Sequence, residues 1–496
     1  MNIGEAKQEI KNTIRAYLQR DAAGVYCFPA VRQRPILLMG PPGIGKTAIM
    51  EQIAHELGIG FVSYTMTHHT RQSAVGLPQI MEQTYEDETF SVTRYTMSEI
   101  IASVYDAMAQ SGCPEGILFL DEINCVSDTL APTMLQFLQN KTFGTHALPP
   151  GWLIAAAGNP PEYNKSVREF DIATLDRIRT IDIQPDTGVF LEYAAARGLH
   201  GAVVSYLSLY PNRFFHVSQS EGRKYYVTAR GWEDLSALLQ SYETLEIPMT
   251  EEIISEFLHL PETSRAFSAY YQLYRKYDDD YRIPALLAGN TDGSAEKAEL
   301  LRKADFVERF AVVQMLLHGI GQAAAKYQKA DETAAALHDA LKEFLSVSAP
   351  LADFIAARRT AAETKRKFDL LSPAKWKQEQ LLLSQLDALQ VELQQNRVSA
   401  PEALREAARQ FLNVRLRQRE ESILETGTAL RCAITWLRDA LGQGQELTSL
   451  LSGMTASPVI MGYILRHGCP EYLEECGCLQ ASPVEADLRA ACAEAE

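Results

Sequence analysis

Two short segments carry the residue types that bind and cleave polyphosphates. The first, Gly-Pro-Pro-Gly-Ile-Gly-Lys-Thr at 40–47, follows an apolar run and precedes a segment of helical period. Glycines let a loop fold around a polyphosphate with its N–H groups inward, and the next helix adds a positive dipole end. We predict that Lys46 contacts the β- and γ-phosphates and that Thr47 ligates Mg²⁺. The predicted nucleotide-binding residues are Gly40, Pro41, Pro42, Gly43, Ile44, Gly45, Lys46, Thr47 and Ala48.

The second segment adds two carboxylates at the end of a buried strand. Residues 117–120 are wholly apolar and lead directly into Asp121 and Glu122. Adjacent carboxylates at such a position are costly unless they have partners. We predict that Asp121 holds Mg²⁺ and that Glu122 orients and deprotonates the attacking water. A strand that runs into an ordinary surface turn is the alternative, and the upstream glycine loop disfavours it.

A third apolar run, 152–157, ends at Gly158-Asn159-Pro160. The amide of Asn159 could hydrogen-bond both the γ-phosphate and the lytic water. Taken alone, Asn before Pro is more typical of a turn. We place Asn159 in the site because of the two preceding motifs.

Three arginines follow at positions where a cation could serve the phosphates. Arg177 could stabilise transition-state charge on the nucleotide of a neighbouring subunit, as an arginine finger does. Arg179 is a second candidate for that role. Arg230 stands at the start of a helical stretch, 233–242, and could bend back to the phosphates.

Over about residues 20–245, the sequence resembles the AAA+ ATPases, and within them the MoxR-like branch. Walker A corresponds to 40–47 and Walker B to 117–122, while Asn159, Arg177 and Arg230 match sensor 1, the finger and sensor 2. The branch is favoured by Asp-Glu-Ile-Asn at 121–124, Ala-Gly-Asn-Pro at 157–160 and Leu-Asp-Arg-Ile at 175–178; the stretch 71–78 lacks the acid usual in the branch.

The resemblance implies the fold and the assembly. It implies an α/β fold, a three-layer P-loop core with a parallel sheet, then a small helical lid and a mainly helical C-terminal domain. A ring, commonly of six subunits, is implied as well. MoxR-like proteins act as chaperone-like ATPases with partners that carry a von Willebrand factor A domain, and such a partner is implied here.

The residues themselves divide the chain into three predicted domains. Strands alternate with helices from 36 to about 185, as in a parallel sheet covered on both faces. We predict a core with a helical lead-in at 1–187, a lid at 188–245 and a helical partner or client domain at 246–496. In the last, the apolar period predicts helices at 304–327 and 332–354, among others.

Composition narrows the function classes. The 496 residues carry a net charge of −16, which argues against nucleic acid as a partner because duplex binding needs many Lys and Arg facing phosphates. No apolar stretch approaches the length of a membrane span, and the first ten residues lack the pattern of a signal peptide. Eight scattered cysteines are most simply reduced thiols. We expect a cytoplasmic protein.

Three alternatives stay open. The chain could be a nucleotide-dependent switch or scaffold with little turnover, although Glu122 argues against it. It could be a nucleic-acid remodeler, with a basic run at 358–377 as its best surface. Separately, four residues could bind a metal, but their spacing is a poor match to zinc sites: His467, Cys469, Cys476 and Cys478.

Overall fold

The computed structural model describes residues 1–68, 74, 76–85, 88–143, 145–163, 167, 170–220, 223–346, 350–367, 373–395 and 401–480. Its strands are β1 Ile36–Met39, β2 Gly60–Thr65, β3 Pro78–Tyr85, β4 Glu88–Tyr95, β5 Gly116–Asp121, β6 Thr142–Phe143, β7 His146–Ala147, β8 Trp152–Gly158, β9 Arg179–Asp182, β10 His216–Ser220 and β11 Arg223–Val227.

The first helices are α1 Ile3–Tyr17, α2 Lys46–Leu57, α3 Glu99–Ser111, α4 Ala131–Asn140, α5 Ile172–Leu175, α6 Thr187–Arg197, α7 Gly201–Leu209, α8 Ala229–Thr244, α9 Glu251–Ser255 and α10 Pro261–Tyr281. They are followed by α11 Ile283–Leu287, α12 Ser294–Lys303, α13 Phe306–Ser346, α14 Leu351–Lys367, α15 Pro373–Gln395, α16 Pro401–Leu441, α17 Gln445–Ala456, α18 Pro458–His467 and α19 Pro470–Gln480.

The chain forms two compact units. The first unit comprises Met1–Asp186 and Ala352–Leu383, and the second comprises Thr187–Leu351 and Ser384–Glu496.

A five-stranded sheet organises the first unit. Its strand order is β2-β5-β8-β1-β9, and every neighbouring pair is parallel. In β5, Ile117 and Phe119 enter one hydrophobic core while Leu118 and Leu120 enter the other. Because successive side chains of a strand point to opposite faces, a strand covered on both faces must be apolar throughout. The predicted parallel sheet is confirmed.

Helices cover both faces of this sheet. One core contains the apolar side chains of α1 and α2, and the other contains those of α3 and α4. In α1, Ala6, Ile10 and Ile14 recur every four residues and are fully buried, which gives the helix one apolar stripe. The result is the three-layer α/β arrangement predicted from the sequence.

An antiparallel hairpin interrupts the alternation of strands and helices. Strands β3 and β4 pair from Pro78 with Tyr95 to Tyr85 with Glu88. Ile80 on this hairpin is 79% exposed. The upstream stretch 71–78, singled out in the sequence, lies partly outside the described residues, which lack 71–73 and 75.

The second unit is almost entirely helical around one hydrophobic core. That core takes side chains from α6–α8 and from most of the helices that follow, but none from the described residues of α14 or α15. The predicted boundary between a lid and a C-terminal domain at residue 245 therefore stays a prediction. The two longest helices, α13 and α16, pack against each other over much of their length. The helical C-terminal half is confirmed.

One predicted helix boundary is wrong. The period predicts separate helices at 304–327 and 332–354, but α13 continues from Phe306 to Ser346. The intervening residues, Gln328 to Asp331, are polar except for Ala330, and they contain neither Gly nor Pro. A polar turn on a long helix can face solvent without breaking the backbone hydrogen bonds, so a loss of apolar period alone does not end a helix.

No single helix among the described residues has the length and hydropathy of a membrane span. The pair Gln445–Ala456 and Pro458–His467, bent by 87°, meets the criterion only when both helices are taken together.

The packing of β5 against β8 can be tested at Gly116. A methyl group added there would lie 2.7 Å from the ring of the buried Trp152 and 2.8 Å from the carbonyl oxygen of Gly60. We expect Gly116→Ala to lower the free energy of unfolding of the first unit by about 1–3 kcal/mol, as measured by calorimetry.

The matched control is Gly321→Ala in α13, where the added methyl meets no atom within 4 Å. This change should raise the stability of the second unit by up to about 1 kcal/mol, because alanine is the better helix former. A Gly116→Ala protein as stable as the parent would contradict the proposed packing.

Candidate active site

The predicted catalytic segments meet at the carboxyl edge of the sheet. Strands β5, β8 and β1 are consecutive neighbours and parallel, so the residues that follow them emerge side by side. The loop after β1 needs its glycines: Gly43 and Gly45 have φ angles of +75° and +91°. Side chains other than glycine rarely adopt that conformation.

The ammonium group of Lys46 lies within this loop. Lys46 is buried, and its Nζ donates to the carbonyl oxygens of Gly40 and Pro41, each at 2.9 Å. It also donates to Oδ1 of Asn159 at 2.9 Å. The structure therefore brings together the predicted phosphate-binding lysine and the polar tip of β8.

Thr47 and Asp121 form the second pair. The Thr47 hydroxyl donates to Oδ2 of Asp121 at 2.7 Å. A hydroxyl and a carboxylate oxygen at this separation are the hard oxygen donors that Mg²⁺ prefers, and Mg²⁺ in nucleotide sites usually takes few protein ligands. The two residues predicted from the sequence to hold the metal are thus adjacent and chemically suitable.

Glu122 has an unusual backbone. Its φ is +55°, in the left-handed region, and its N–H donates to Oδ1 of Asp121 at 2.9 Å. The residue is half-buried, and no donor among the described residues hydrogen-bonds its carboxylate. Left-handed backbone at a residue with a Cβ is uncommon and clusters at functional sites. Among the described residues, no donor therefore competes with a ligand or a water molecule for this carboxylate.

Asn124 holds the tip of β8 in place. Its side chain is 2% exposed; Nδ2 donates to the carbonyl oxygen of Asn159 at 2.8 Å, and Oδ1 accepts from the Asn159 N–H at 3.4 Å. In the sequence, Asn124 stands out only as the last residue of the Asp-Glu-Ile-Asn motif at 121–124, which assigns it no role. Its position three residues after Asp121 is the only feature of the sequence that places it near the candidate site.

The two finger candidates differ in their contacts. Arg179 is tied to its own chain: its guanidinium forms an ion pair with Glu9 and donates to the Thr13 hydroxyl at 2.5 Å, both on α1. Arg177 is exposed and donates to Oε1 of Gln139 at 2.6 Å. Arg177 is thus the better placed to reach another molecule.

Arg230 lies in the second unit, in the first turn of α8, and is exposed. Its N-cap, Thr228, accepts from the Gly231 N–H at 3.2 Å, which accounts for the helix start. Its role at the phosphates stays a prediction.

The cysteine- and histidine-containing segment near the C-terminus has other contacts. His467 hydrogen-bonds the Tyr327 hydroxyl at 2.8 Å, and Cys469 is buried beside Glu471. Within the part of the chain that the structure describes, no three His, Cys, Asp or Glu side chains are arranged to hold a metal ion. Cys476 is half-buried, and the side chain of Cys478 lies outside the described residues.

Comparison with known proteins agrees with this geometry. Residues 36–176 match the family profile described as "ATPase family associated with various cellular activities (AAA)". Residues 36–176 are therefore similar in sequence to AAA-family domains, and the parallel sheet with its surrounding helices fits the fold of such a domain. The matched segment contains the glycine loop, both carboxylates and Asn159.

A solved structure also resembles part of the chain. It is a protein from Cytophaga hutchinsonii, provisionally described as an ATPase, with 16% identity and a TM-score of 0.26. The match covers 40% of this chain and 51%, about half, of that one. No curated protein matches the chain.

The hydrogen bonds between Asn124 and the backbone of Asn159 can be tested by adding a methyl group beside the Asn124 side chain. A methyl group at Gly158 would lie 2.8 Å from Oδ1 and 2.9 Å from Cγ of Asn124. We expect Gly158→Ala to lower the rate of ATP hydrolysis at saturation by about tenfold or more, because the displaced Asn124 no longer holds Asn159 in place. Affinity for ADP should change less.

A double-mutant cycle gives the control. In an Asn124→Ala background the added methyl has no side chain to displace, so Gly158→Ala should cost little further activity. Additive losses would show that Gly158 acts by some route other than Asn124.

Proposed function

We propose that this protein hydrolyses ATP to ADP and phosphate at the edge of the sheet formed by β1, β5 and β8. The observation that carries the proposal is the pair of contacts joining three strand tips, Lys46 to Asn159 and Thr47 to Asp121. They support the proposal because a lysine ammonium and a side-chain amide lie close together, as do a hydroxyl and a carboxylate of the kind that can ligate Mg²⁺. The AAA-family match at 36–176 supports nucleotide as the ligand.

The donors fit ATP with Mg²⁺. The Lys46 ammonium would exchange its backbone acceptors for phosphate oxygens, and the N–H groups of the glycine loop would bind the remaining charge. Thr47 and Asp121 would hold the metal, directly or through water. Mg²⁺ supplies neutralisation of the charge that develops on the β- and γ-oxygens.

Glu122 is the proposed general base. Water attacks the γ-phosphorus, the bond to the β–γ bridging oxygen breaks, and the water's proton passes to the Glu122 carboxylate. Lys46 stabilises the charge left on the β-phosphate. Oδ1 of Asn159 accepts from Lys46, so its Nδ2 can donate to the γ-phosphate or to the water. A pure nucleotide switch would have little use for a free carboxylate in this position.

We further propose that the protein works as a ring, commonly of six subunits, in which Arg177 reaches the nucleotide of the next subunit. The support is that Arg177 is exposed, whereas Arg179 is engaged by α1 of its own chain. Arg230 would act as sensor 2 from the lid.

The proposed client role is that of a chaperone-like remodeler with a von Willebrand factor A domain partner. Its support is the resemblance of residues 121–124, 157–160 and 175–178 to the MoxR-like branch. The helical second unit offers a folded body that could bind the client.

Removal of the proton acceptor tests the hydrolytic mechanism. Glu122→Gln keeps the size of the side chain, so it should bind ATP normally and hydrolyse it at least about 10²-fold more slowly. Steady-state phosphate release and calorimetric ATP binding measure the two effects. Near-parental turnover would remove Glu122 from the mechanism.

Substituting the two candidate arginines one at a time tests which of them acts as the arginine finger. Arg177→Ala should bind ATP yet lose most of its hydrolytic rate, since a finger is worth about 10³–10⁵ in small GTPases. Arg179→Ala should keep turnover and lose thermal stability, because its partners lie on α1.

Mixing of variants tests whether the finger acts between subunits. Arg177→Ala keeps an intact phosphate loop, and Lys46→Ala keeps the finger, so the mixture should recover part of the activity. If Arg177→Ala hydrolyses ATP at the full rate in the assembled protein, the proposed finger is wrong.

A further inference from the structure

The second unit contains a cavity of about 980 Å³ that lies apart from the nucleotide motifs in sequence. Its walls come from the start of α7, the end of α8 and from α10, α11, α13 and α16. One wall is apolar and includes Ile283, Leu287 and Met315, and the other carries several ionisable side chains. A concave site with an apolar wall and a few convergent polar groups is typical of small-molecule binding.

The polar side chains of the second wall form a hydrogen-bond network centred on Glu243. Glu243 accepts from His200 at 3.0 Å on one oxygen, and from Tyr271 and Arg275 at 3.0 Å and 2.9 Å on the other. Burial opposes the ionised form, yet the hydrogen bonds from these partners hold the pKa of Glu243 at about 2. His200 is fixed in turn, because its Nδ1 accepts from the Ala202 N–H at 3.1 Å. The network positions charge before any ligand arrives.

Two basic side chains of this wall form salt bridges with carboxylates, and a third is uncharged. Arg275 pairs with Glu243, and Lys326 pairs with Glu425 at 2.6 Å. Burial and the neighbouring His200 lower the pKa of His318 to about 4, so this imidazole is uncharged at neutral pH. Few positive charges remain for an anionic ligand.

Two side chains on α10 have no hydrogen-bond partner among the described residues. Asp278 is half-buried, and burial raises its pKa although Arg275 and His200 act in the opposite direction. Within the described part of the chain no donor hydrogen-bonds its carboxylate and no cation forms a salt bridge with it. Tyr274, one turn earlier, is 7% exposed, and no described group hydrogen-bonds its hydroxyl. A methyl at Gly201 would lie 2.2 Å from that hydroxyl, so the glycine is needed to make room for it.

We propose that this cavity binds a small organic cation, an amine or guanidine on a short apolar chain, through Asp278 and Tyr274. A protonated nitrogen would give the carboxylate a direct hydrogen-bond donor, which no described residue supplies, and would also donate to the tyrosine hydroxyl. The chain of the ligand would lie along Ile283, Leu287 and Met315. The site is separate from ATP hydrolysis and is independent of the function proposed above.

Calorimetric titration of the full-length protein without nucleotide tests this inference. The probes are butane-1,4-diamine and agmatine, with butane-1,4-diol as the neutral control and butanedioate as the anionic one, all at physiological salt. At least one amine should bind saturably at one site and raise the melting temperature of the second unit. The diol and the dicarboxylate should do neither.

Two isosteric variants distinguish binding at this site from non-specific electrostatic attraction of a cation to an acidic protein. Asp278→Asn should weaken amine binding by at least about tenfold, as expected for loss of a charged hydrogen bond. Asp279→Asn removes the same charge from the adjacent, exposed position of α10 and should leave binding unchanged. Tyr274→Phe should weaken binding less than Asp278→Asn, with helical content retained by circular dichroism.

Three results would overturn the proposal. One is equal affinity in the Asp278→Asn and Asp279→Asn proteins. Another is binding of the diol as tight as that of the diamine. The third is the absence of saturable binding of either amine at millimolar concentration.

Discussion

The buried ammonium of Lys46 is the interaction on which the rest of the first unit depends. A buried charge is costly unless it is hydrogen-bonded, and Lys46 obtains acceptors from its own loop and from Asn159 on a strand tip more than a hundred residues away. That arrangement requires β1 and β8 to be neighbours in the register that places Met39 beside Gly158. A slip of one residue would turn every apolar side chain of the strand to the opposite core and move Asn159 away.

The backbone at Glu122 shows a second constraint. Lys141 and Arg282 also have positive φ, but both follow the last turn of a helix, where left-handed residues commonly end it. Glu122 instead leaves a buried strand, and its conformation costs roughly 1–2 kcal/mol. The hydrogen bond from its N–H to Asp121 contributes to holding it there. Because the same carboxylate of Asp121 also accepts from Thr47, the turn that aims the proposed base is coupled to the proposed metal-binding pair.

Local patterns in the sequence predict the parts of this structure that depend on near neighbours. The apolar runs predict the strands, and the glycine spacing predicts where Lys46 and Thr47 stand. The hydrogen bonds between Asn124 and Asn159 and those from Arg179 to α1 could not be predicted from the sequence. Each depends on which distant element packs beside it. Continuity of α13 was mispredicted for a related reason: its polar turn carries no backbone signal for a break.

A buried charge needs a hydrogen-bonding or charged partner, and the two units differ in how far their own residues supply one. In the first, a buried cation is surrounded by oxygens of its own chain, which a phosphate can replace without leaving the charge unpaired. In the second, Arg275 forms a salt bridge with Glu243, but the half-buried Asp278 forms no salt bridge and accepts no side-chain hydrogen bond among the described residues. Arg275 and His200 offset only part of the cost of burying that carboxylate, because its pKa remains raised. Its charge has a use if a cation from outside the chain completes the pair.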